Sequence, residues 1–350
     1  MATLAELGGW PAVLGPLTSG ASLSAHEAKA AMAEILQGEA TSAQIAAFIV
    51  GLRMKGETVE ELTGLLSAML DASEPVPLDD VTGMVDTCGT GGDRSHTINV
   101  STIAALVVAG AGVRVCKHGN RAASSACGSA DLLEALGVTI DLGPAGVASC
   151  IVEAGIGFCY APRFHPAMRH AGPTRRELGV PTVFNFLGPM ANPARVRRQV
   201  IGVSDGAMAE RMAQVLAAKG AERAFVVHGG DGLDELSTTT VSAFLELRDG
   251  EVLAGTVDPA ELGLATATGD LLRGGDAACN AGLARRVLDG ERGPHRDIVV
   301  LNAAAALMIA GVVEHLVEGI EAAVASLDDG AAATALDRLV SASNAAAAEA

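Results

Sequence analysis

Hydrophobic and polar positions follow two different patterns along this chain, with a break near residue 75. Before the break the signals are those of helices. Three capping boxes stand in series: Ser24-Ala-His-Glu27, Thr41-Ser-Ala-Gln44 and Thr58-Val-Glu-Glu61. Each offers a hydroxyl to a free first-turn amide and, three residues on, a carboxyl or amide group that reciprocates. Gly38 and Gly56 fall where the first two helices should stop, and the third should run to about Ala72. Ser73-Glu-Pro-Val-Pro77 then interrupts the pattern as a linker.

From Val81 onward, short β-branched runs alternate with longer alanine-rich stretches. Val81–Asp86, Val113–Cys116, Ile156–Tyr160, Val200–Val203 and Ala224–Val227 read as buried strands. Leu132–Leu136, Ala145–Ala154, Ala207–Lys219 and Ala277–Leu288 read as helices between or after them, a further helix begins near Asn99, and the chain beyond Ile298 is mostly helical. Such alternation predicts a parallel sheet covered by helices. The expected class is α/β: a small N-terminal all-helical domain plus a larger domain with a mostly parallel central sheet flanked by helices. A length of 350 residues suits two domains at the usual ~150 residues each.

Charge and composition narrow the function. The chain carries 24 Lys and Arg against 41 Asp and Glu, a net charge of −17, and only 3% aromatic residues. It would repel phosphate backbones and has few rings to stack on bases, so nucleic acid is not an expected partner. The longest apolar runs, Ile103–Val113 and Val299–Val313, fall short of the ~18–20 residues that cross a bilayer. The opening stretch lacks the basic and apolar regions of a secretory leader. The six cysteines form no CxxC pair, so they read as reduced thiols of a cytoplasmic protein.

Five segments can carry chemistry. Val85-Asp-Thr-Cys-Gly-Thr-Gly-Gly-Asp93 ends a strand in glycines ahead of a helix, where backbone amides can approach an anion. It is neither a dinucleotide fingerprint nor a Walker A loop, and a purely structural turn reads the same way. Asn99-Val-Ser-Thr102 places an amide and two hydroxyls at a helix start; at least one should cap the helix, and the others could face phosphate or metal. Lys117-His-Gly-Asn-Arg-Ala-Ala-Ser-Ser125, continuing to Asp131, follows a strand and gathers many donors in a βα loop, where parallel sheets bind ligands. Seven arginines (163, 169, 175, 176, 195, 197, 198) and a single acid, Glu177, lie between Arg163 and Arg198, a local reversal of sign in an acidic chain. Guanidinium forks suit carboxylates and phosphates, although some of these side chains should be solvated or paired with acids elsewhere. Adjacent Asp234 and Glu235, after the strand Ala224–Val227, could hold a hard cation or form a solvated acidic turn.

In their order, Asp86-Thr-Cys-Gly-Thr-Gly-Gly-Asp93, Asn99-Val-Ser-Thr102, Lys117-His-Gly-Asn-Arg-Ala122, His165-Pro-Ala-Met168, Arg175-Arg-Glu-Leu-Gly179, Phe184-Asn-Phe-Leu-Gly-Pro189 and Asp234-Glu-Leu-Ser237 strongly resemble the anthranilate phosphoribosyltransferase family. The resemblance runs from about Leu23 to beyond Asn280. It implies attack of anthranilate on C1 of 5-phosphoribosyl 1-pyrophosphate in tryptophan biosynthesis, with pyrophosphate leaving and Mg2+ as cofactor. It also implies a homodimer joined through the helical domain. That domain would comprise residues 1–75 with part of about 165–195, the remainder of 78–350 would form the α/β domain, and the site would lie in the hinge cleft. By position, Gly89, Gly92, Asp93, Thr97, Asn99, Val100, Ser101, Thr102, Lys117, His118, Gly119, Asn120, Arg121, Ala122, Ala123, Ser124, Ser125 and Ser129 would surround the phosphoribosyl pyrophosphate. Ser101, Asp234 and Glu235 would ligate metal, and Gly89, Asn120 and Arg175 would touch anthranilate. No residue is expected as a general acid or base, because the anthranilate amine already carries a free lone pair at neutral pH. Rival readings are a pyrimidine nucleoside phosphorylase of the same fold class, whose Lys-His is followed by Ser-Thr-Gly-Gly, and a non-catalytic nucleic-acid-binding relative.

Overall fold

A computed structural model describes residues 3–122 and 125–349. The N-terminal stretch forms helices α1 (Gly9–Thr18), α2 (Ala25–Gln37), α3 (Ser42–Lys55) and α4 (Val59–Asp71). All three sequence-predicted capping boxes form, and Gly38 and Gly56 sit at the ends of α2 and α3. Glu61 does more than cap: its carboxylate also accepts from the Leu23 backbone amide and from Lys55 Nζ, tying α4 to the entry of α2.

The larger part is built on a seven-stranded sheet in the order β3-β2-β1-β4-β5-β6-β7. The strands are β1 (Val85–Gly89), β2 (Val115–Gly119), β3 (Ile156–Tyr160), β4 (Arg198–Gly202), β5 (Arg223–Gly229), β6 (Ser242–Arg248) and β7 (Glu251–Val257). The first five are parallel; β6 and β7 join antiparallel. The remaining helices are α5 (Val100–Gly110), α6 (Ser129–Ala135), α7 (Pro144–Ala154), α8 (Ala161–Phe164), α9 (Gly172–Leu178), α10 (Val183–Met190), α11 (Ala209–Ala218), α12 (Ala277–Leu288), α13 (Pro294–Ala310), α14 (Leu316–Asp328) and α15 (Ala331–Glu349).

Alternation along the strands divides the core between the two faces of the sheet. Val200, Phe225 and Val227 join the side covered by α5, α7, α12, α13 and α15. Ile201, Ala224 and Val226 join the side that includes the N-terminal helices, α10 and α11. The apolar run after Ile298 is α13, buried almost throughout its length. Its C-terminal carbonyls are met by arginines from two strands: Arg198 donates to Ala310 O and Arg223 donates to Met308 O. These are favourable partners for the negative end of a buried helix.

Three expectations from the sequence are corrected. The first strand lies at Val85–Gly89 rather than Val81–Asp86, because Met84 N donates to Val81 O in a turn that Gly83 enters at φ +70°. The second runs on through Lys117, His118 and Gly119 rather than ending at Cys116, so these residues belong to the strand end and not the loop. The antiparallel hairpin β6–β7 went unread, although Asp249-Gly250, with φ +54° and +83°, is a type I′ turn signal between its strands.

Candidate active site

The carboxyl ends of β1, β2 and β5 converge on one place. Gly89 closes β1, and a Cβ there would lie 2.2 Å from Asp234 Oδ2. A Cβ on Gly202, at the end of the neighbouring β4, would lie within bonding distance of the Asp234 carbonyl oxygen. Two glycines side by side therefore let the loop after β5 cross directly over the strand ends. That loop is stapled from within: Asp231 accepts from the hydroxyls of Ser237 and Thr239 and from the Leu233 amide.

The glycine turn is held as a backbone cradle. Gly91 and Gly92 have φ of +66° and +83°, a region open to glycine at little cost. Thr90 N donates to Gly202 O, and Ser204, after β4, bonds Thr90 Oγ1 and Gly91 O. Asp93 accepts from the Ser95 hydroxyl and amide, and Thr97 bridges to Arg273.

Asp234 and Glu235 are half-buried at the base of this cradle. Asp234 Oδ2 accepts from Gly91 N at 2.7 Å, and Glu235 Oε1 accepts from Ser101 N at 3.1 Å. Burial pushes Asp234 up to about 6 and Glu235 up to about 8; the negative charges of Asp93 and Asp234, respectively, add to the effect. Two desolvated, mutually repelling carboxylates beside a serine hydroxyl are a hard-oxygen set that a divalent cation would relieve, so the residues present fit Mg2+. Among the described residues no group of three His, Cys, Asp or Glu side chains is placed to hold an ion unaided. Such a set leaves coordination positions for waters and substrate phosphates, as is usual for Mg2+.

Lys117 is buried, and its Nζ donates to Thr87 O and lies 3.4 Å from Ser101 Oγ. His118 is buried with its ring 5.1 Å from that of His165, and its Nε2 has no hydrogen-bond partner among the described residues. Burial lowers His118 to about 3 and His165 to about 4, so both rings are neutral at pH 7. The contact also brings the segment that starts with α8 against the end of β2.

The other expected site residues divide sharply. A Cβ on Gly119 would lie 2.3 Å from Ser129 Oγ, which itself donates to Asn120 O. Asn120 Oδ1 accepts from the Arg121 amide. Arg121 turns away to Asp131 and Glu134, both at 2.8 Å, and lies over the Tyr160 ring. Ala122 N donates to Asp131, and Ser125 Oγ donates to Cys127 O. Ala123 and Ser124 lie outside the described residues. Val100 faces the core with its amide bonded to Ile98 O, and Thr102 is buried with its hydroxyl unpaired.

None of the three polar residues in Asn99-Val-Ser-Thr102 caps α5 with its side chain, contrary to the sequence reading. Asn99 Nδ2 is taken by Cys127 O and its Oδ1 by Asn280 Nδ2, because Cys127, just before α6, and α12 flank it from both sides.

The arginine cluster is mostly accounted for by acids. Arg163 pairs with Glu74, Arg197 and Arg198 with Glu222, and Arg195 approaches Asp71. Of the three without an acid partner among the described residues, Arg169 and Arg176 are exposed and Arg175, on α9, is not. It is half-buried, has no side-chain hydrogen-bond or acid partner among the described residues, and stands with its guanidinium carbon 4.8 Å over the Phe184 ring of α10. Sequence reasoning assigned no role to Asp86, Asn192 or Asn280, all buried at this site. A carboxylate inside the apolar run of a central strand was the available signal for Asp86.

Comparison with known proteins agrees with this layout. Residues 11–73 match the glycosyl transferase family helical bundle domain and residues 81–333 its a/b domain. The chain is 56% identical over 335 residues to the anthranilate phosphoribosyltransferase of Rhodococcus jostii, covering 94% of this chain and 92% of that one. It superposes with a TM-score of 0.90 on the crystal structure of the Thermus thermophilus enzyme of that name, at 42% identity, over 95% of this chain and 99% of that one. The Saccharomyces cerevisiae enzyme in complex with phosphoribosyl pyrophosphate and Mg superposes at 0.87 with 27% identity, over 96% and 98%.

Proposed function

The chain belongs to the anthranilate phosphoribosyltransferase family, and from that premise we propose how its own residues bring the reaction about. It transfers the phosphoribosyl group of 5-phosphoribosyl 1-pyrophosphate to the amine of anthranilate, releasing pyrophosphate, in tryptophan biosynthesis. The observation that carries the assignment of roles is the backbone cradle Gly89–Asp93 closed from below by Asp234 and Glu235.

Pyrophosphate is a poor leaving group until its charge is offset. The amides of Gly92 and Asp93, which have no partner among the described residues, and the buried ammonium of Lys117 are preorganised donors for that charge. Mg2+ held by Asp234, Glu235 and the Ser101 hydroxyl would supply further positive charge to the pyrophosphate. No general base is needed: the anthranilate amine attacks with its free lone pair, and the proton it carries after the C–N bond forms is lost to water. Arg175 bonds the anthranilate carboxylate: its fork has no competing acid among the described residues, and the Phe184 face holds it flat. Holding two substrates in register then contributes much of the rate.

The molecule is assigned as a cytoplasmic homodimer. Helix α3 leaves Ala43, Ala47 and Met54 exposed at helical spacing, with Val50 half-covered between them, an apolar stripe suited to a second copy. Among the described residues no helix is long and apolar enough to cross a membrane. The helical unit is taken as residues 1–75 with part of about 165–195, and the α/β unit as the remainder of 78–350.

One assay tests the reading. Purified protein with Mg2+, phosphoribosyl pyrophosphate and anthranilate should deplete anthranilate fluorescence. Release of free base from a pyrimidine nucleoside and phosphate, with anthranilate untouched, would decide for the phosphorylase.

A further inference from the structure

We infer that Asp86 and Asn192 form a buried pivot that fixes the crossing from α10 to β4 on the sheet, and thereby positions the anthranilate side of the site against the phosphoribosyl side. The inference rests on the transferase roles assigned above to the ends of β1 and β2.

Asp86 is wholly buried in the central strand of a parallel sheet, where apolar residues are the rule. A carboxylate persists there only if its hydrogen bonds are satisfied. Its Oδ1 accepts from the His118 backbone amide at 3.1 Å, and its Oδ2 accepts from Asn192 Nδ2 at 2.8 Å, with Gln199 Nε2 at 3.5 Å. Asn192 is just as buried. Its amide nitrogen also donates to Cys116 O at 2.8 Å, and its Oδ1 accepts from Ala194 N at 2.9 Å. Gln199 on β4 donates to Pro189 O, which the Cys88 thiol also approaches. One carboxylate therefore joins β1, β2, β4 and the chain between α10 and β4.

Both sides of the site hang from that joint. On one side is β2, whose Lys117 reaches Thr87 and Ser101 and whose His118 amide is bonded by Asp86 itself. On the other is α10, whose Phe184 carries the Arg175 guanidinium. His165 Nε2 pairs with Ala191 O at 3.0 Å, so the segment after α8 is attached at the same point. An apolar residue of equal volume at 86 could fill the space but could not accept from a strand amide and a side-chain amide together. Asp86 is thus a positioning residue: it acts through His118 and the α10 platform and need not touch either substrate.

The test is Asp86→Asn, which preserves size but replaces one acceptor oxygen with an NH2 group that repels the amides now bonded there. We expect kcat per folded molecule to fall roughly 10- to 100-fold and the anthranilate KM to rise. The Kd of phosphoribosyl pyrophosphate, measured by calorimetry without anthranilate, should stay within about threefold, because the glycine cradle is untouched and β2 keeps its ladder to β3 and its Lys117 bond to Thr87 O when the side-chain joint is lost. Asn192→Ala should give the same split, and the double variant should lose no more than the worse single one, since both remove the same joint. Should Asp86→Asn fail to fold, Asn192→Ala and Asn192→Ser carry the same readout. Unaltered kcat, equal damage to both substrates, or losses that multiply would each overturn the pivot while leaving the transferase reading intact. Wild-type protein that neither binds phosphoribosyl pyrophosphate nor consumes anthranilate would overturn both.

Discussion

The Asp234 carboxylate accepts a hydrogen bond from the Gly91 backbone amide at 2.7 Å, so the loop after β5 rests on the glycine turn after β1. An acid thus occupies a donor that an anionic substrate would also seek. This tie between two distant loops leads to the first prediction.

Burial raises Asp234 to about 6 and Glu235 to about 8. Unfolded, both are ordinary acids that deprotonate near pH ~4. Between those limits the folded protein holds more protons than the unfolded chain, so without divalent metal its stability falls as pH rises from about 4 to about 8. The double variant Asp234→Asn with Glu235→Gln should escape that loss. In EDTA at about pH 8 it should be more stable than wild type by about 2 kcal/mol or more, since a tenfold change in proton affinity is about 1.4 kcal/mol. It should also lose most turnover with Mg2+ present. Thermal melts across this range check the first part, and a wild-type Tm independent of pH would contradict it.

Gly92 and Gly89 should fail for different reasons. A Cβ on Gly92 has open space, its nearest neighbour being Ser204 Oγ at 3.9 Å, but φ is +83°. A β-branched residue is an outlier there, so Gly92→Val should reshape the turn and raise the KM for phosphoribosyl pyrophosphate by about tenfold or more. Gly89→Ala instead collides with Asp234 Oδ2, and its first symptom should be a higher Mg2+ requirement. Steady-state kinetics with each ligand varied separates the two.

Arg175→Ala should reduce kcat/KM for anthranilate by roughly 10- to 100-fold, the worth of a charged hydrogen bond of about 1.5–3 kcal/mol. The KM for phosphoribosyl pyrophosphate should barely change. Arg176, exposed on the same helix, is the control, and Arg175→Lys should restore only part of the loss because it lacks the planar fork. Equal behaviour of the alanine variants at 175 and 176 would make the anchor another group.

The six cysteines are free, five buried and Cys279 exposed. Cys116 and Cys159 face each other across β2 and β3 with sulfurs 3.4 Å apart, as thiols. A thiol reagent should therefore label one group in native protein and six in denaturant, without reductant. Four after denaturation would show that the pair oxidises.

Much of this architecture was legible because it depends on local chemistry. The capping boxes at Ser24, Thr41 and Thr58 are complete within four residues each, so they form wherever the chain goes. Ile156–Tyr160 and Ala277–Leu288 were read to the residue, since a buried apolar run and an alanine-rich stretch announce themselves. The glycine turn, the donors at the end of β2 and the adjacent acids were also visible as short motifs.

What the sequence by itself determined, then, was the order of helices and strands and the list of groups with the right chemistry. Only the tertiary structure decided which of those groups face one another. Asn99 looked like a helix cap and is instead claimed by Cys127 and Asn280, one of them 181 positions away. Arg121 looked like a phosphate ligand and is turned to Asp131 and Glu134. Asp86 meets the His118 amide 32 positions away and Asn192 106 positions away. The physical reason is range: a cap or an amphipathic period is set by neighbours a few residues away. The partner of a buried polar group is whatever the packing of distant elements brings within about 3 Å.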